Sequence, residues 1–222
     1  MEERRRFYRQ KLMELFFPEN NVCHLCGRWS NGLPFCEDCL TGMNSCRFKD
    51  SRFLHSPLTL CAAPWQHTAH ARQAVHLLKY ASDRASACLL AEGMSMAIVH
   101  QPCLQQVDAL VPVPLHPERE KDRGYNQSMW LAEEISEHTG IPVASDLLIR
   151  IRDTRTQVQH NRQQRLAAMV GAFAVARGKD VAGKKLLLVD DVFTTGATMT
   201  ACAHALLASG AENVYGVTAC RA

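Results

Sequence analysis

The chain has 222 residues, 47% of them hydrophobic and 21% charged, with a formal net charge of +3. That is the profile of a folded soluble protein, long enough for one sizeable α/β domain and a small appendage. The weak positive charge neither requires nor excludes a nucleic-acid partner, and no run approaches the roughly eighteen apolar residues of a membrane span.

Residues 4–17 predict a short helix, basic at first (Arg4 to Arg6) and stopped by Pro18. The opening "MEERRRFYRQ" lacks the apolar core and cleavage site of a secretory signal, so a cytoplasmic location without membrane insertion is expected. In that setting ten cysteines point to thiols and a metal site rather than to disulfides. Residues 20–57 are loop-rich with no sustained period, and such a segment needs a staple to fold. Cys23 and Cys26 in "CHLC" and Cys36 and Cys39 in "CEDC" supply one, in the spacing CxxC–x9–CxxC. Two turn-borne pairs suit a tetrahedral thiolate zinc site, and a full set of protein ligands makes that zinc structural. His24 lies between the first pair, but a complete set of four cysteines leaves it no place as a ligand. The expected division is 1–57 for the N-terminal helix and zinc module and 58–222 for a second domain.

From residue 58 the texture changes. "LTLCAAP" is strand-like, and residues 69–80 and 83–100 have helical spacing. "VDALVPVP", residues 107–114, is an apolar run closed by prolines and predicts a buried strand. Asn126 and Gly140 are placed to cap a helix between them. Residues 172–175, 185–190 and 214–220 predict further strands, and "ATMTACAHALLASG" predicts a helix ending at Gly210. Alternation of this kind predicts a parallel sheet covered on both faces by helices.

The stretch "LLLVDDVFTTGAT", residues 186–198, carries the chemistry. Ligands of open parallel sheets sit beyond the carboxyl ends of the strands, and Asp190 and Asp191 fall at one such end. The next residues enter a helix N-terminus, whose N–H groups and dipole favour an anion. Thr194, Thr195 and Thr198 add hydroxyl donors, and Gly196 lets the backbone approach a ligand. Two hydroxyl-seeking carboxylates beside a phosphate-seeking cradle fit a sugar phosphate, and both acids are expected to face one polar cleft without supporting the core. The plain alternative is a threonine-rich helix cap with solvated acids.

That string resembles the phosphoribosyl pyrophosphate (PRPP) signature of type I phosphoribosyltransferases. The resemblance implies that Asp190 and Asp191 bind ribose hydroxyls, that Thr194, Thr195, Gly196, Ala197 and Thr198 hold the 5′-phosphate, and that Mg²⁺ accompanies the pyrophosphate. With the cysteine pairs, "LFFPENNVCHLC", "AVHLLKY", "DALVPVPLHPEREKDRGYNQS", "RIRDTRTQ" and "RLAAMVGAF", nearly the whole chain resembles the ComF family of competence and DNA-utilisation (GntX-like) proteins. The family pattern is broken at His160, where leucine is common, and at Ala168, where asparagine is common.

The resemblance implies a type I phosphoribosyltransferase-like α/β fold with a small zinc module, and a protein binding PRPP and Mg²⁺ in the uptake or use of single-stranded DNA, together with competence-machinery proteins. The alternative it leaves open is an active phosphoribosyltransferase acting on an unidentified base or amine. In that enzyme the loop Pro114–Gly124, with Arg119, Lys121 and Arg123, corresponds to the pyrophosphate loop. Residues 150–165, with Arg150, Arg152, Arg155, Arg162 and Arg165, correspond to the hood over the substrate. Arg123 and Arg150 are the candidates for stabilising the leaving group. The five arginines of residues 150–165 also suit a strip tracking a nucleic-acid backbone. Lys79 and Tyr80 admit both a ligand role and a plain surface role.

Overall fold

The computed structural model describes residues 21–152 and 171–222. The helix expected over 4–17, Arg4 to Arg6, and Arg155, His160, Arg162, Arg165 and Ala168 lie outside the described residues. The chain divides into two compact units, Met1–Ser45 and Cys46–Ala222.

The described part of the first unit is mostly turns, as its glycines and proline dictate. The exception is helix α1, Glu37–Ser45, which buries Cys39 and Met43, one turn apart on one face.

The second unit is built on a six-stranded sheet in the order β1-β2-β8-β7-β4, with β3 also paired to β8. Its strands are β1 (Arg52–His55), β2 (Leu58–Ala62), β3 (Trp65–Gln66), β4 (Ala109–Pro112), β7 (Lys185–Phe193) and β8 (Asn213–Arg221). Strands β2, β3, β4, β7 and β8 pair in parallel with one another. Strand β1 is antiparallel to β2. The helices in chain order are α2 (Ala69–Tyr80), α3 (Arg84–Val99), α4 (Pro102–Gln105), α5 (Pro117–Arg123), α6 (Gln127–Thr139) and α7 (Ala197–Ala208). Asn126 and Gly140 cap α6 as its sequence predicts: the Asn126 side chain accepts from Ser128 N–H and Gly140 closes the helix in the left-handed conformation.

Residues 46–57 hold β1, which pairs with β2 in the larger unit's sheet, and the compact units part at Ser45/Cys46; the division into domains 1–57 and 58–222 stands as a proposal. Three expectations change. Residues 172–175 do not join the main sheet: β6 (Phe173–Val175) pairs with β5 (Leu148–Arg150) in a separate antiparallel ribbon. Strand β7 does not stop at Asp190 but runs on to Phe193, because its pairing with β8 continues through Phe193↔Arg221. The helix after it ends at Ala208, short of Gly210.

Strand β7 is central and buried on both faces, and so is a nearly continuous apolar run. Leu186 and Leu188 join one core with Val111, Phe173 and the α7 residues Met199, Cys202 and Leu206. Leu187 and Val189, one step out of phase along the strand, point to the opposite face. There α3 and α6 pack together, and α6 rests on β4 and β7. Helix α3 reaches the sheet through Gly93. A Cβ added there would fall 2.0 Å from Trp65, a buried ring on β3. Gly93→Ala should therefore overpack the interface and cost about 1–3 kcal/mol of stability in denaturant titration. Gly178→Ala, where an added Cβ meets nothing within 4 Å, should show no packing cost, only the strain of its positive φ.

Candidate functional site

The two acids sit inside β7, so the pleat sends their side chains to opposite faces. Asp190 points away from Asp191, and at the strand end the first turn of α6 reaches it through Ser128. Its Oδ1 accepts hydrogen bonds from Ser128 Oγ at 3.0 Å and from Asp191 N–H at 2.9 Å. Burial, and next the adjacent Asp191 charge, push the Asp190 carboxyl up to about 7, against the opposing influence of Lys79 and of its two hydrogen bonds. Asp190 is nevertheless half-exposed at the strand end, where a ligand can reach it.

Asp191 turns the other way and is 3% exposed. Lys79, in the last turn of α2, places Nζ 2.6 Å from its Oδ1. Oδ2 is buried without a hydrogen-bond partner. The expectation that both acids face one cleft and that neither supports the core is corrected here: Asp191 is an internal anchor, and the strand's alternation is the reason. His67 lies in the same field, its pKa lowered by burial first and then by the Lys79 and Arg72 cations.

Past the acids, Thr194 is exposed and Thr195 and Thr198 are half-buried. Thr195 Oγ1 accepts from Ala197 N–H at 3.4 Å. Gly196 stands at the N-cap of α7 with φ of 77° and no side chain to cap the helix, so apart from the long Ala197 contact to Thr195 the first turn presents N–H groups and a dipole suited to an anion. A Cβ at Gly196 would fall 2.3 Å from His55 Nε2. His55, delivered by β1, also lies 3.0 Å from Thr200 Oγ1 and edge-on to Phe193. No periodicity pointed to His55. Ser128 was findable, since it follows the Asn126 cap within the quoted "GYNQS" block.

The candidate arginines line different cavities. Arg123 lines one of about 440 Å³ with Lys79, Tyr80, Arg119 and Tyr125, and its guanidinium is hydrogen-bonded to Gln127 Oε1. Arg150 lines a second, of about 530 Å³, with Pro114, Asn126, Trp130 and Ile149. The buried Cys202 thiol, raised chiefly by burial, feels the charges of both Asp190 and Arg150.

In the first unit, the sulfur atoms of Cys23, Cys26, Cys36 and Cys39 all lie within 4.8 Å of one another. Cys26 and Cys36 are 3.7 Å apart, close to the edge of a tetrahedron with metal–sulfur bonds of about 2.3 Å. Tight turns shape both pairs: Gly27 N–H returns to Cys23 C=O and Cys39 N–H to Cys36 C=O. Hydrogen bonds from Arg28 pull the Cys26 thiol down to about 6, whereas burial raises Cys39. The cluster could hold a metal ion, and His24 is not part of it.

Removing one partner of a buried ion pair leaves the other charge uncompensated. Lys79→Met should cost about 3–5 kcal/mol in denaturant titration. Lys79→Met with Asp191→Leu should recover much of that loss, because no charge then remains stranded.

The phosphoribosyl transferase domain family matches residues 126–222, the stretch from the α6 cap through β8. Competence protein F of Haemophilus influenzae is 33% identical over 112 residues, half of this chain and 49% of that protein, so the match spans about half its length. The DNA utilization protein YhgH of Salmonella typhimurium is 29% identical over 94% of both chains. Competence protein ComFC of Bacillus subtilis is 26% identical over 86% of this chain and 73% of its own. The chain is a homologue of these competence and DNA-utilisation proteins, with a phosphoribosyl transferase domain and a four-cysteine cluster nearer its N-terminus.

Proposed function

We propose that the protein binds PRPP with Mg²⁺ at the β7–α7 loop and serves the uptake or utilisation of single-stranded DNA. The observation that carries the ligand reading is Asp190, a carboxylate at the strand end that meets Ser128 and stands ahead of an uncapped helix start. In this reading Asp190 accepts a ribose hydroxyl. Thr194, Thr195, Gly196, Ala197 and Thr198 hold the 5′-phosphate through hydroxyl and backbone N–H groups. Asp191 acts indirectly, through the Lys79 pair that fixes the end of β7. Mg²⁺ prefers phosphate oxygens and water to an all-protein cage, so two pyrophosphate oxygens and few protein ligands suit it. The DNA reading draws on the names of the relatives, one a competence protein and another a DNA utilization protein. Partners among the competence-machinery proteins belong to the same proposal. A cytoplasmic setting, where thiols stay reduced, suits free cysteines such as Cys88 and Cys103. Among the described residues no helix is long and apolar enough to cross a membrane.

A second reading, an active phosphoribosyltransferase, is favoured by the cavity of about 530 Å³ beside Asn126, Trp130 and Arg150. It has room for an acceptor base or amine. The ribose C1–O bond to pyrophosphate would break and a C1–N bond form, with the acceptor proton lost to solvent. Arg123 and Arg150 would stabilise the departing charge.

Calorimetric titration of PRPP and Mg²⁺ against the full chain tests the first reading. Asp190→Asn should weaken binding by roughly tenfold or more, since a hydrogen bond to a charged group contributes about 1.5–3 kcal/mol. Circular dichroism should be unchanged. Thr195→Ala should cost less, because the backbone donors remain. The ligand selects ionised Asp190, whose carboxyl sits at about 7 in the free protein. Wild-type affinity should therefore rise relative to Asp190→Asn as pH increases from below 6 to above 8. No affinity in the wild type at millimolar PRPP would reject the site. Pyrophosphate release in a screen of bases would establish the second reading.

For the cysteine cluster we propose structural zinc, about one per chain. Chelation should melt the first unit and leave the larger sheet folded, because metal affinity is folding energy in such modules. Metal analysis without zinc, and no effect of Cys36→Ser on stability, would count against it.

A further inference from the structure

Aromatic and cationic side chains alternate along one run of the second unit. Tyr80, the last residue of α2, is 70% exposed. The Arg123 guanidinium stands 5.6 Å from its ring centre. Tyr125 stacks on Trp130, with centroids 3.9 Å apart and planes at 9°. Arg84 covers Trp130 at 4.1 Å, closing that stack. Tyr125 is further fixed by donating its hydroxyl hydrogen to the Leu78 carbonyl. Between Tyr80 and the braced Tyr125 lies the cavity of about 440 Å³ that Lys79, Arg119, Asp122 and Arg123 also line. Three cations face one acid there, and Lys79 is already engaged with Asp191.

A sugar phosphate alone does not account for an exposed aromatic ring at the rim. A pyrophosphate uses the arginines and leaves Tyr80 without purpose. A duplex has its bases stacked internally and offers such a ring nothing. A single strand offers both parts: a base face for Tyr80 and backbone phosphates for Arg119 and Arg123, which is how sequence-indifferent single-strand sites are built. We propose that this run is the single-stranded DNA contact of the protein, with one base stacked on Tyr80 and its flanking phosphate in the Arg119–Arg123 cavity. The inference rests on the DNA reading above and names its surface. It moves the main contact away from the arginines of residues 150–165, which sequence alone favours. Lys79 and Arg123 border both this surface and the proposed PRPP site, so free pyrophosphate should compete with the strand.

Fluorescence anisotropy of a labelled oligothymidylate with the full-length protein tests it. Tyr80→Ala should weaken single-strand binding by roughly tenfold, the loss of one stacked base. Tyr80→Phe should restore it, and neither change should alter PRPP affinity. Arg119→Ala should lower the slope of log affinity against log salt by about 0.7, one phosphate contact, whereas Tyr80→Ala should leave that slope alone. A wild type that binds no single strand at low salt overturns the DNA reading and this surface with it. A wild type that binds while Tyr80→Ala and Arg119→Ala bind equally well overturns the surface alone. Equal preference for duplex would also overturn it, since a duplex exposes no base to Tyr80.

Discussion

The ion pair between Lys79 and Asp191, 2.6 Å long, with the carboxylate buried and the lysine a quarter exposed, ties the last turn of α2 to the carboxyl end of β7. An isolated carboxylate is costly to bury, so the Asp191 charge calls for the lysine. With Asp191 turned to its anchor, the neighbouring acid is directed the other way, where Ser128 meets it. The same pair sets the electrostatics of the site. Asp191 raises the Asp190 carboxyl while Lys79 offsets part of that effect, leaving an acid poised to exchange a proton for hydroxyl donors from a ligand.

The architecture follows from the same strand. β7 is paired on both sides, with β4 and β8, and its apolar residues serve two cores at once. One core holds α7, the other α6 and α3. The loop from Thr194 to Gly196 is thereby fixed at both ends, by strand pairing up to Phe193 and by the first turn of α7, where Thr200 N–H reaches Gly196 C=O. His55 fills the space that any side chain at Gly196 would need. In the proposed reading a phosphate would meet a loop already fixed at both ends, which limits the ordering cost of binding.

Much of this was legible in the sequence. The apolar run 186–189 and the caps Asn126 and Gly140 are local signals, and the structure keeps them. The paired CxxC motifs announced a four-sulfur cluster because ligand spacing in turns is itself local. What was not legible depends on pairing across the chain. Strand β1 hides in a loop-rich segment, since "RFLH" acquires its role only from β2. The ribbon of β5 and β6 looked like part of the parallel sheet because three apolar residues do not reveal their partner. The opposed directions of Asp190 and Asp191 follow from β7 extending to Phe193, an extension that pairing with β8 decides. The run of Tyr80, Arg123, Tyr125 and Trp130 joins three helices, and no window of sequence contains it as a surface.

The central claim is that the two adjacent acids have divided roles, Asp191 locked to Lys79 and Asp190 held ready for a ligand. Carbon-13 NMR titration of the two carboxyl groups, with and without PRPP and Mg²⁺, tests that division most directly. The account predicts that Asp190 titrates near 7 in the free protein and shifts downward on ligand addition, because hydroxyl donors favour the ionised form. An Asp190 that titrates in the ordinary carboxylate range near 4, or one that is indifferent to saturating ligand, would contradict it.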